Sequence, residues 1–207
     1  MRRQPLAWLA PLVLGCAMTP PQVGQPGPEV ADPKSEAEYQ AVLERFSAHR
    51  EVYSGVETQI FTAATYQSVA FREARVRRKA VFQLWPPGEL EQALAQERSE
   101  AAQAHEVVFG ATMPDRQFDD FDSRKSIWRL SLRTPQGEVT PVSVRRIGRA
   151  DANVRAYYPF MGDFWTVYSA RFPLQIGGQP LVGPDTTTVT FRMASTQGQV
   201  EMELPVQ

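Results

Sequence analysis

Between Ser126 and Arg133 the chain alternates: Trp128, Leu130 and Leu132 fall on one face, and Ile127, Arg129, Ser131 and Arg133 on the other. Side chains two apart share a face of an extended strand, so this stretch predicts a strand with one buried side. Pro135-Gln136-Gly137-Glu138 supplies turn residues, and Val139 to Ile147 is expected to return as the partner strand. The same period recurs elsewhere. Val56, Thr58, Ile60 and Thr62 alternate with more polar neighbours in a strand running to Thr65, and Val107, Val108 and Phe109 make a short one. Phe164, Tyr168 and Phe172 share a face between Phe164 and Leu174; Val189, Phe191 and Met193 share one between Thr186 and Ala194; Val200 to Leu204 closes the series. Gly177-Gly178 and Gln197-Gly198 mark turns between these strands.

Three stretches carry the helical period instead. Ser35 stands three residues before Glu38, a capping-box spacing, and Tyr39, Val42, Leu43 and Phe46 follow at helical intervals, which predicts a helix from Glu36 to His49. Val69 to Leu84 gathers Arg72, Arg75, Arg78 and Lys79 on one side, a charged face expected to meet water, with a binding surface as the sharper alternative after the aromatic cluster. Pro86-Pro87-Gly88 interrupts the chain, and Glu89 to Ala104 resumes as an alanine- and glutamate-rich helix with proline near its first turn, where a missing N–H costs little. The last two form a helical hairpin. The fold expected is therefore mainly β with helices: an antiparallel β-sandwich of about seven strands, with an inserted helical hairpin and an N-terminal helix. Its layout loosely resembles the immunoglobulin-like domains of envelope lipoproteins, a likeness of pattern rather than of motif.

The front of the chain reads differently. Two arginines, Arg2 and Arg3, precede an apolar run from Leu6 to Gly15 that is too short to span a bilayer, which takes ~20 residues, and fits a secretory signal. Val13-Leu14-Gly15-Cys16 resembles the bacterial lipobox. That resemblance implies cleavage after Gly15, diacylglycerol on the Cys16 sulfur and acylation of the new amino terminus; Ala17 after the cysteine implies sorting to the outer membrane. Pro20, Pro21, Pro26, Pro28 and Pro33 crowd the following residues, a spacer extended at ~3.1 Å per residue that reaches up to ~50 Å. The organisation expected is a signal peptide over 1–15, a lipidated cysteine and linker over 16–35, and one β-rich domain over 36–207.

Charge and chemistry narrow the function. A net charge of −1 gives no positive field for a nucleic acid. Cys16 is the single cysteine, so no intrachain disulfide staples the core. His49 and His105 are expected at helix ends or on the surface, without zinc-ligand spacing. Serine-hydrolase and phosphate-loop motifs are missing from the sequence, and no cofactor is expected. Asp115, Asp119, Asp120 and Asp122 form the densest acidic stretch. It reads as a solvated loop, with a calcium site or a glycosidase-like carboxylate pair as the sharper alternatives. Tyr157, Tyr158, Phe160 and Trp165, with Phe164 and Tyr168 beside them, read as core residues around a tight turn or, if exposed, as a surface gripping a glycan or a protein. The function expected is a lipoprotein held to the outer membrane by its N-terminal lipid, with a non-enzymatic structural or binding role and an envelope protein or glycan as partner. An envelope hydrolase using the Asp115 to Asp122 loop, and an accessory subunit of an export or surface assembly, stay open beside it.

Overall fold

The structure is a computed structural model and describes residues 33–54 and 57–207. The apolar leader, Cys16, the proline-rich stretch up to Asp32 and Val56 lie outside the described residues.

Helix α1 (Pro33–Arg45) leads into β1 (Ser47–Ser54) and β2 (Glu57–Tyr66). Then come α2 (Val69–Phe82), α3 (Pro87–Ala101) and β3 (His105–Thr112). After a loop holding one 3-10 turn (Arg116–Phe118) follow β4 (Arg129–Thr134), β5 (Gly137–Val139), β6 (Ser143–Arg149), the short helix α4 (Ala152–Tyr157) and β7 (Thr166–Phe172). A small ribbon, β8 (Gln175–Ile176) with β9 (Gln179–Pro180), precedes β10 (Thr188–Ser195) and β11 (Gly198–Pro205).

Every pairing is antiparallel. One sheet has five strands in the order β1-β2-β3-β7-β6 and a second has four, β11-β10-β4-β5. The fold is thus sandwich-like and mainly β, with the helical hairpin α2–α3 inserted between β2 and β3. Alternation explains the layers. Val107, Phe109 and Ala111 of β3 and Tyr168, Ala170 and Phe172 of β7 meet Leu130, Leu132, Phe191, Met193 and Met202 of the other sheet in one core. The intervening Val108 and Val167 point the opposite way, onto Tyr39, Leu43, Phe46 and Phe71 of the helices. The centre of the five-stranded sheet is therefore covered on both faces, and β3 reads as one continuous buried run, as doubly covered strands do, while the edge strand β6 stays largely exposed. Phe109 sits at the centre, its ring 5.3 Å from those of Tyr168 and Phe191 and 5.2 Å from Phe121.

Several expectations need correction. The first helix stops at Arg45, and residues 47–54 pair with β2 as an edge strand, so His49 is a strand residue. Helical spacing ends with Phe46; Ala48 and Val52 then reach the sandwich core, but Arg50 between them hides the alternation. The strand from Val139 to Ile147 is two strands. Only Gly137–Val139 pairs with β4; residues 143–149 cross to the five-stranded sheet and pair with β7. Pro141 lies at the crossing, where a residue without an N–H cannot continue a ladder. Phe164 lies before β7 and is 72% exposed, so it does not share the buried face of Tyr168 and Phe172. His105 opens β3 instead of ending a helix, and its Nδ1 lies 2.7 Å from the Tyr66 hydroxyl.

The turn between α2 and α3 ends in an unusual residue. The N–H of Trp85 donates to the Ala80 carbonyl at 2.9 Å and that of Leu84 to Val81 at 3.3 Å, the closing bonds of a helix whose next residue turns left-handed. Leu84 occupies that position at φ 51°, where glycine avoids the Cβ clash, and its side chain is 88% exposed. Leu84→Gly is expected to raise stability by about 0.5–1 kcal/mol in urea unfolding, the scale of relieving one such residue less the added chain entropy. A loss of stability would show that the leucine side chain packs where it stands exposed.

Candidate functional site

The charged face of α2 does not meet water. Arg72 is 3% exposed, and its guanidinium is fully engaged by three elements. Its Nε donates to the Gln67 carbonyl at 3.0 Å, one terminal nitrogen donates to Glu97 on α3 at 2.8 Å, and the other pairs with Glu106 on β3. Ser169 of β7 donates its hydroxyl to the same Glu106 carboxylate. Arg75, one turn on, donates to Glu97 at 2.8 Å, to the Gln67 side-chain oxygen at 3.1 Å and to the Tyr158 hydroxyl at 3.3 Å. Arg78 turns towards α1, stacking over the Tyr39 ring at 4.3 Å and pairing with Glu36 at 3.0 Å. Residues three or four apart lie on one helix face, so a single stripe grips α1, α3 and the sheet together.

Local structure sets this up. Ser68 caps α2 by accepting from the Phe71 N–H at 3.1 Å, which fixes where the helix begins and so the azimuth of Arg72. Two strand residues, Glu106 and Ser169, lie on the helix-facing side of adjacent strands β3 and β7. Electrostatics follow the geometry. Burial works against the charged form of Glu97, yet the guanidinium groups of Arg75 and Arg72 outweigh it and hold its carboxyl below the usual range. Burial also opposes the Arg75 cation, and Tyr158 and Glu97 more than compensate, so it keeps its proton more firmly than a free arginine. Burial pushes the Tyr66 hydroxyl up to about 12, against the pull of Arg72.

Above this network opens a cleft of about 510 Å³ between the helical hairpin, β6 and α4. The paired residues form its floor. Lys79 and Trp85, Arg145 and Ile147, and Asn153 with Tyr157 stand around it. The Lys79 ammonium lies 5.0 Å over the Trp85 ring.

The residues singled out by sequence as binding or metal candidates form two groups, of which Tyr157 and Tyr158 also line this cleft. Tyr158 is buried and Tyr157, Phe160 and Trp165 are half-buried around Met161, in the core between the helices and the five-stranded sheet. A Cβ at Gly110 would meet Met161 Sδ and Trp165 Cε3 at 3.0 Å, so glycine there lets this cluster close onto β3. Tyr39 donates its hydroxyl to the Tyr157 carbonyl at 2.7 Å. Phe160 and Trp165 also line a second cavity of about 380 Å³ with His49, whose ring lies perpendicular to that of Phe160 with centroids 4.5 Å apart.

The acidic loop is tied down rather than gathered round a centre. Phe121 plugs the sandwich, and the Trp128 indole N–H donates to the Phe118 carbonyl at 2.9 Å. Asp119 accepts from the Tyr168 hydroxyl at 2.7 Å and from Thr166; Asp120 accepts from Ser126 at 2.8 Å. Asp122 pairs with Arg146 at 3.5 Å, and Asp115 accepts from the Gln117 N–H at 3.0 Å. Among the described residues, no three acidic, histidine or cysteine side chains converge as a metal site would require.

No known protein family matches the sequence, and no curated protein does. One similar solved structure is a protein of unknown function from Burkholderia pseudomallei K96243, with 9% identity, 83% of each chain covered and a TM-score of 0.44. That likeness is too low to carry a statement about fold or function.

Arg72→Met keeps most of the side-chain volume but leaves Glu97 and Glu106 beside an apolar chain. It is expected to cost about 3–5 kcal/mol in urea unfolding, the range for breaking a buried pair from one side. Adding Glu97→Gln and Glu106→Gln should return part of that loss; a cost below about 1 kcal/mol for Arg72→Met would mean the network is inconsequential.

Burial lowers the pKa of His105 and of His49 from 6.5, and the Glu97 carboxyl lies below 4.5. For a depressed folded-state pKa, stability is full above the unfolded value and is lost as pH falls through the folded one. The melting temperature is expected to start falling below about pH 6.5 and to fall more steeply below about 4.5, the unfolded values of the two group types. His105→Asn should flatten the upper part of that decline, and Glu97→Gln the lower. Unchanged profiles in both variants would contradict the assignment.

Proposed function

We propose that the protein is a non-enzymatic binding lipoprotein of the bacterial cell envelope, exported and held to the outer membrane by lipid on Cys16. The observation that carries this reading is Val13-Leu14-Gly15-Cys16 behind two arginines and an apolar run. Its consequence is physical: acyl chains contribute about 0.8 kcal/mol per buried CH₂, and more than one chain makes the anchor stable. Proline-rich residues between Cys16 and the first described helix suit a semi-extended spacer, which lifts the domain off the bilayer. No helix among the described residues is long and apolar enough to cross a membrane.

In this reading the sandwich is a variant of the immunoglobulin-like arrangement. Antiparallel pairing throughout, two sheets sharing one aromatic core, and a chain that crosses between sheets after β5 support it. The helical cover on the five-stranded sheet is the addition.

A binding role is favoured over hydrolysis by the fate of the loop acids. A glycosidase needs two carboxylates facing across a substrate. Asp119, Asp120 and Asp122 instead spend their oxygens on Tyr168, Thr166, Ser126 and Arg146. The open cleft lies on the opposite side of the five-stranded sheet from the sandwich core, between the helical hairpin and β6.

Fractionation of cells expressing wild-type protein and Cys16→Ser tests the anchor. Wild type is expected in the outer-membrane fraction with a mature mass equal to the chain from Cys16 plus acyl groups, and Cys16→Ser in the soluble fraction or uncleaved. A wild-type chain recovered at unmodified full-length mass would overturn the reading.

A further inference from the structure

We propose that the cleft between the helical hairpin and β6 binds a small organic anion, its carboxylate or phosphate held by Lys79 and Arg145 and its apolar body laid against Trp85, Tyr157 and Ile147. The proposal deepens the binding role by naming a ligand class, and it rests on that role without depending on the lipid anchor.

Charge matching carries the argument. Every cation in the floor of the cleft is answered: Arg72 by Glu97 and Glu106, Arg75 by Glu97. The floor is neutral, two arginines against two glutamates. Around it, Lys79 of α2 and Arg145 of β6 both line the space, and among the described residues neither lies within ion-pair distance of a carboxylate. The one further carboxylate is Glu100, 3.8 Å from Arg72 and half exposed. Two cations lining one recess without a counter-charge of their own concentrate an anion there.

The walls decide what kind of anion. Ile147 lines the cleft 41% exposed, and Trp85 and Tyr157 present half-buried rings. An inorganic ion would leave these surfaces wet; a ligand with an aromatic or aliphatic body would cover them. About 510 Å³ falls within the 300–1,000 Å³ range usual for small-molecule sites. Asn153 and Gln96 add hydrogen-bonding groups at the mouth. The floor network is the rigid base that holds Lys79 two helical turns beyond Arg72, so the cation is placed before any ligand arrives.

The test uses the full chain carrying Cys16→Ser, so that neither lipid nor detergent takes up the probe. A failure here leaves the anchor reading standing, and a failed anchor leaves this one standing. Calorimetric titration compares 2-naphthoate and 2-naphthyl phosphate with the neutral 2-naphthalenemethanol. At least one anion is expected to bind at least about tenfold more tightly than the alcohol, and to weaken as salt rises from low to high concentration. Lys79→Met and Arg145→Met should each weaken that anion about fivefold or more while the protein stays folded with a melting temperature within a few degrees of wild type, since neither residue holds a structural ion pair and Lys79 loses only its contact with the Trp85 ring. Glu100→Gln should strengthen it. Equal binding of the alcohol, indifference of both cation variants, or no binding of either anion at millimolar concentration would each overturn the proposal.

Discussion

One guanidinium organises this molecule. Arg72 is almost wholly buried, and its donors reach the end of β2, the helix α3 and the strand β3 at once. A charge in such a place is tolerated only when its hydrogen-bonding capacity is used up, because the desolvation cost of an arginine is several kcal/mol. That requirement constrains everything around it. Glu97 has to arrive from α3 and Glu106 from β3, and Ser169 of β7 completes the Glu106 carboxylate. A hairpin of helices that could have packed on the sheet at many angles is left with one.

The consequences run outward in two directions. Towards the sheet, the network fixes the hairpin over Val108 and Val167, so the centre of the five-stranded sheet is buried on both faces while the four-stranded sheet keeps one face in water. Towards solvent, the same stripe continues to Lys79, where the carboxylates run out and the cleft begins. Structural matching and open recognition are therefore two ends of one helix face. The aromatic cluster of Tyr157, Tyr158, Phe160 and Trp165 supports the far wall of that arrangement, joined to it by the Tyr158 hydroxyl beside Arg75.

Much of the fold was legible in the sequence where one face is apolar and the other polar. Leu130 and Leu132, or Val189, Phe191 and Met193, announce their strands because alternation survives intact. The helical hairpin and its place between early strands were equally readable from Pro86-Pro87 and the flanking periods. Illegible were the features that depend on distant partners. Residues 47–54 carry Arg50 and Glu51 inside a strand, and only pairing with β2 makes them one. Residues 137–149 change sheets at Pro141, and their apolar positions shift phase there, Val139 before it and Val142 and Val144 after it, which a single-strand reading passes over. The candidate site was half visible: the basic stripe was seen, and water was expected on it. Opposite charges 25 residues apart across the hairpin turn, Arg72 with Glu97 and Glu73 with Arg98, are the signal that places α3 against that stripe. Glu106 and Arg145 gave no such signal, because strand order decides that they face the helices.

The claim that the Arg72 network fixes the hairpin on the sheet is tested most directly by native-state hydrogen exchange, comparing the amides of α2 and α3 with those of β3. The account requires the hairpin core to exchange at the global unfolding free energy in the wild-type protein, and to open separately, at lower free energy than β3, in Arg72→Met. Hairpin amides that already exchange far faster than β3 in the wild type, or that lose no more protection than β3 in the variant, would contradict it.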